Sequence, residues 1–83
     1  MITRDNFKDV IYSIDKENIV NAINEPGDYI LLEVHIFNAG SYATIESMDY
    51  SDEVDQEAYN NGQMFCDKDN FIGILSDAGI DIN

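Results

Sequence analysis

His35 and Cys66 are the side chains in this sequence best suited to acid–base or nucleophilic chemistry. A reactive thiol needs a base within hydrogen-bond reach. His35 falls in a run that alternates apolar and polar residues, which places it on the polar face of a strand. Cys66 stands in a short apolar stretch, where a free cysteine reads as core packing. The pair is therefore expected to lie apart, and the chain to be non-enzymatic. Glu33 with Glu46 is a carboxylate pair of the kind that shares a proton, but an exposed strand face has no cleft to raise a pKa.

Metal chemistry fares little better. Asp67-Lys68-Asp69-Asn70 opens like a calcium loop, yet Phe71 and Ile72 occupy the fifth and sixth positions and Ala78 the twelfth. Capping of a helix explains Asp67 more simply. Asp52, Asp55 and the nearby glutamates form at most a weak, unspecific divalent site. No zinc ligand set is present, the lone cysteine has no intrachain disulfide partner, and no cofactor is expected.

Charge is the more informative chemistry. Seventeen Asp and Glu oppose four Lys and Arg in 83 residues, a formal charge of −13. Over a folded surface scaled from chain length, this is roughly one net charge per 400 Å². From Glu17 to Asp67 inclusive there are eleven acids and no Lys or Arg. Glu46, Asp49, Asp52, Glu53, Asp55 and Glu57 are the densest part of that stretch. Such a surface repels nucleic-acid phosphates and anionic lipid, so no direct nucleic-acid or membrane partner is expected. The hydrophobic share is 45%, too high for a disordered acidic tail. No apolar run is long enough to span a membrane and no secretory h-region is visible in the first turns, so a cytoplasmic location is expected.

The elements that must position these groups follow from periodicity. Thr3 is a helix cap ahead of Phe7, Val10, Ile11 and Ile14, and Asp15 looks like a second cap ahead of Ile19, Val20 and Ile23, opening either a kinked continuation of the first helix or a second helix. Pro26-Gly27 stops the helical region in a turn. Tyr29 to Phe37 reads as the principal strand, with its even positions aliphatic. Asn38-Ala39-Gly40-Ser41 reads as a hairpin loop, and Tyr42 to Tyr50 as the returning strand. That loop sets Phe37 beside Tyr42, Val34 beside Ile45 and Glu33 opposite Glu46, where like charges destabilise the pair. Ser51 to Asn60 is read as a helix with Ser51 as its N-cap, ended by Asn61-Gly62, and Gln63 to Cys66 as a short third strand. Asp67 caps a last helix carrying Phe71, Ile74, Leu75 and Ala78, after which Ile80 and Ile82 fold back on the core.

The fold expected is one small α+β domain over residues 1–83. Its centre is an antiparallel hairpin, with a third short strand beside it, packed on one face by the N- and C-terminal helices. In size and charge it resembles the compact, strongly acidic phage or mobile-element proteins that block nucleic-acid-handling enzymes. That resemblance implies an inhibitor of the anti-CRISPR or anti-restriction type, binding a basic protein surface, as a DNA mimic does. Glu33, Glu46, Asp49, Asp52, Glu53, Asp55 and Glu57 are the acids expected at the contact, with Phe37 and Tyr42 as aromatic anchors. The alternative is a housekeeping interaction module, an immunity or assembly partner whose acidity serves solubility. An open sheet edge also permits a homodimer.

Overall fold

The computed structural model describes residues 1–37 and 40–81, with Phe37 by its backbone alone. In chain order the elements are α1 (Phe7–Tyr12), α2 (Lys16–Asn24), β1 (Tyr29–Phe37), β2 (Gly40–Met48), α3 (Asp52–Asn61), β3 (Met64–Asp67) and α4 (Lys68–Asp77). The strands form a single antiparallel sheet in the order β2-β1-β3. The third strand of the expected α+β domain is thus present, and β1 is central.

The aliphatic even positions of β1 determine the core. Ile30 and Leu32 are fully buried, and their partners on the flanking strands, Ile45, Met64 and Cys66, share their face. Onto it pack Phe7, Val10, Ile11 and Ile14 from the first helical stretch, Ile19 and Ala22 from α2, and Phe71 and Leu75 from α4. Each of these side chains other than Ala22 contributes about 1.5–3 kcal/mol when fully buried. Ile80 packs against this cluster as expected, whereas Ile82 lies outside the described residues.

Helix starts follow the same local chemistry twice. The Thr3 hydroxyl accepts from the Asn6 amide at 3.3 Å, and the Thr3 amide donates back to Asn6 Oδ1 at 2.7 Å. The resulting turn delays α1 until Phe7, later than a cap at Thr3 implied. Asp67 caps α4 by accepting from the Asn70 amide at 3.4 Å. The sequence echo Arg4-Asp5-Asn6-Phe7 and Lys68-Asp69-Asn70-Phe71 thus shares the Thr3–Asn6 and Asp67–Asn70 bonding, although α4 begins directly after Asp67 and α1 only at Phe7, and Phe7 and Phe71 meet edge to face in the core at 6.5 Å. Asp15 occupies the cap position of α2, but its backbone carbonyl makes the bonds, to the amides of Asn18 and Ile19, and its side chain caps nothing. Ser51 caps α3 through its hydroxyl and Gly62 closes it at φ 68°. Helix α3 starts at Asp52, directly after the Ser51 cap that its sequence pattern implied, whereas β3 begins one residue later than expected, at Met64.

The hairpin requires one correction. Phe37 pairs with Gly40, Val34 with Ala43 and Leu32 with Ile45, a shift of two residues from the register that a four-residue loop implied. Gly40 and Ser41 belong to β2, and Asn38 and Ala39 lie outside the described residues. Side chains alternate with period two, so a two-residue shift keeps every residue on its face. Hydrophobic patterning resists a one-residue slip and is blind to this one. The other end of β2 is held by the Pro26-Gly27 turn. The Ser47 hydroxyl donates to the Pro26 carbonyl at 2.9 Å, and Gly27, at φ 117°, lies so close to Met48 that a Cβ would stand 2.8 Å from its carbonyl. These contacts end the strand at Met48, two residues short of Tyr50.

Candidate functional site

The face of the sheet away from the core is built from the odd positions of β1, the even positions of β2 and Phe65 of β3. It has two unlike halves. Towards the hairpin end it is polar. Glu33 stands opposite Thr44, so Glu46 is its diagonal neighbour instead of its direct partner, because of the two-residue register difference. The repulsion expected of a directly opposed pair is eased accordingly. His35 stands opposite Tyr42, their rings stacked at 4.7 Å, and its Nε2 lies 3.1 Å from the Thr44 hydroxyl. Tyr42 and Glu46 are exposed, whereas Glu33 and His35 are half-buried. The aromatic pairing expected between Phe37 and Tyr42 is replaced by that of His35 with Tyr42. Phe37 meets Gly40 through its backbone, and its side chain lies outside the described residues.

The other half is aromatic. Tyr29 and Phe65 lie 4.9 Å apart between ring centres, and Tyr50 covers them at 5.1 and 6.1 Å. Tyr50 stands just before Ser51, the cap of α3, so the chain enters that helix across this face. Its hydroxyl donates to Asp52 Oδ1 at 2.6 Å. That bond, then loss of solvation, then the charges of Asp52 and Asp55 push the Tyr50 phenol up to about 12. Sequence periodicity missed this cluster, although a signal existed: Tyr29 and Leu31 are large apolar residues at odd positions of β1, on the face assigned to polar groups.

Asp49, Asp52, Glu53, Asp55 and Glu57 are all exposed around the junction of β2 and α3. Asp52, Glu53 and Asp55 fill the first turn of α3, where its dipole favours negative charge. Helical spacing of about 100° per residue divides the set. Val54 and Ala58, the half-buried and buried residues of the helix, point to the body of the domain. Asp52 and Asp55 lie on the flank beside Tyr50, and Glu53 and Glu57 on the opposite flank. The acids that looked like one row in sequence thus form a ridge with two sides. The sheet acids Glu33 and Glu46 form a separate patch.

Two of the four cations lie elsewhere. Arg4 and Lys8 line a cleft of about 660 Å³ with Ile2, Phe7, Met64 and Ile74, on the helical side of the sheet. The Lys68 ammonium donates to the Glu25 carbonyl. Cys66 faces the core beside Ile30, on the opposite side of the sheet from His35. Burial, and then the Asp67 charge, push its thiol up to about 11, so it is protonated at neutral pH. Among the described residues no three or more His, Cys, Asp or Glu side chains come together as a metal site. Asp67 is engaged in capping α4. No helix among the described residues is long and apolar enough to cross a membrane. Gln63, assigned to a strand by sequence, acts through its side chain instead. Its amide accepts from the Val34 N–H at 2.7 Å and donates to the Val34 carbonyl at 3.1 Å, extending the β1–β3 ladder by one side chain. No protein-family model matches this chain, and neither a curated protein nor a solved structure does.

Proposed function

We propose that the protein is a non-enzymatic binding protein that occupies a basic surface of a partner, one that otherwise handles nucleic acid. The carrying observation is the segregation of charge: β1, β2, α3 and β3 hold no Lys or Arg, while exposed acids stand on the sheet face and on both flanks of α3. Carboxylates held on a rigid strand and helix imitate a row of phosphates for a groove lined with Lys and Arg. An inhibitor of a CRISPR effector or restriction enzyme has this character. The two-sided ridge of α3 favours a groove that clasps the helix over a flat contact.

Affinity capture at two salt concentrations tests the reading. The partner should be held at about 50 mM salt and released by about 500 mM, as the Debye length falls from roughly 14 to 4 Å. Duplex DNA should compete with the protein. Replacing Glu46, Asp49, Glu53 and Glu57 by their amides should weaken binding at low salt by about tenfold or more, since each contact is a charge pair. These positions spare Asp52, whose loss would also release Tyr50. Binding that is indifferent to salt, to DNA and to this variant would instead assign the contact to aromatic residues, as in an immunity or assembly module.

A further inference from the structure

Among the described residues no strand pairs with the outer edge of β2. The two amide bonds from Gln63 show that Val34 directs its N–H and C=O towards β3, so the even residues of β1 face β3 and the odd ones face β2. On β2, then, Gly40, Tyr42, Thr44, Glu46 and Met48 bond to β1. Ser41, Ala43, Ile45 and Ser47 direct their backbone groups outward. All nine β1–β2 pairs are consecutive, without a bulge, and β2 contains neither proline nor lysine. The usual devices that blunt an edge are missing from a long, straight strand, apart from the single charge of Glu46. Beside it, between β2 and α2, runs a groove of about 360 Å³ in which the apolar Ile14, Ala22, Ala43 and Ile45 stand among the polar Asn18, Asn21 and Glu25.

We propose that this edge receives an extended basic segment of the partner by strand addition, a mode that rests on the functional reading above. Charge selects the occupant. A second copy would bring another −13 to the same edge, whereas a cationic strand meets Glu46, its diagonal neighbour Glu33 and the following Asp49. Alternation selects its pattern. Side chains on the acid face should be Lys or Arg, beside Thr44 and Glu46. Those on the other face should be small and apolar, entering the groove beside α2.

A short peptide alternating lysine with valine, capped at both ends, is the probe. At about 50 mM salt it should bind at least about tenfold more tightly than a peptide of the same composition with its lysines and valines in separate blocks. It should shift the amide resonances of Ser41, Ala43, Ile45 and Ser47. Two N-methylated forms make the test independent of peptide direction. Methylating the valine amides in one form and the lysine amides in the other places the blocked set against β2 in only one of them, so one form should lose binding and the other keep it. Equal binding by both forms, or by the block peptide, would overturn strand addition and leave an attraction of charge alone. A protein that dimerises through β2 would overturn the choice of occupant. If no lysine peptide binds at low salt, the basic-partner reading falls as well.

Discussion

Tyr50 and Cys66 show how single positions acquire properties from neighbours distant in sequence or newly brought close. Tyr50 is an ordinary phenol until its hydroxyl meets Asp52, and Cys66 an ordinary thiol until β3 buries it beside Ile30. Both hold their protons more tightly in the folded protein, with pKa values pushed to about 12 and about 11. Below the ordinary value of either group, both are protonated whether the chain is folded or not. As pH rises, the unfolded chain releases these protons first, so folding stability falls progressively until the folded values are passed. Urea unfolding at about pH 8 and about pH 11 should show this loss. In Asp52→Asn the Tyr50 ring resonance should titrate closer to its ordinary value near 10. A titration unchanged from the parent would show that Asp52 is not the bonded partner.

Among the elements, the hairpin is the one whose structure departs furthest from its sequence pattern. Pairing by hydrophobic faces is satisfied equally by registers two residues apart, since both bury Leu32, Val34 and Ile45 together. A cross-link separates the two. Ile36 lies opposite Ser41, both exposed, at a position that does not exchange backbone bonds. Such pairs bring Cα atoms to about 4.5 Å, within disulfide reach. The double variant Ile36→Cys with Ser41→Cys should oxidise readily to an intramolecular bridge. The shifted register would put Ile36 opposite Ala43, and then Ile36→Cys with Ala43→Cys would be the pair that closes. Other boundaries were legible where a local chemical signal marks them, with Ser51 and Asp67 as caps, Gly62 at positive φ and Pro26-Gly27 as a stop, whereas the start of α1 was not.

At the scale of the molecule, the charge is a cost the fold must carry. A surface with a formal charge of −13 repels itself, and the acids around the β2–α3 junction have no cationic neighbours in sequence to relieve it. Screening should therefore stabilise the protein. Its thermal midpoint should rise between about 50 and 500 mM sodium chloride, by about 4–8 °C for each kcal/mol of repulsion removed. The Glu46, Asp49, Glu53 and Glu57 amide variant should melt at or above the parent at low salt and respond less to added salt. A midpoint that does not move with salt would mean that the acids are spaced widely enough to ignore one another.

Composition, periodicity and caps are local quantities, and they determined the α+β class, most of the helix limits, the aliphatic core and the polar half of the outer face of β1. They also located the acids, because no tertiary contact is needed to count a stretch of chain that lacks Lys and Arg. What only the tertiary structure decided are relations between distant segments. It set Glu33 beside Thr44 and diagonal to Glu46, stacked His35 on Tyr42, and brought Tyr50 over Tyr29 and Phe65. It divided one run of acids between a sheet patch and two flanks of α3, and it set β2 at an edge that no other described strand pairs with. The physical reason is common to all of these. A period of two or of 3.6 residues fixes which face a side chain occupies, whereas strand order and register depend on closing loops and on contacts such as Gln63 with Val34 that no single stretch of sequence contains.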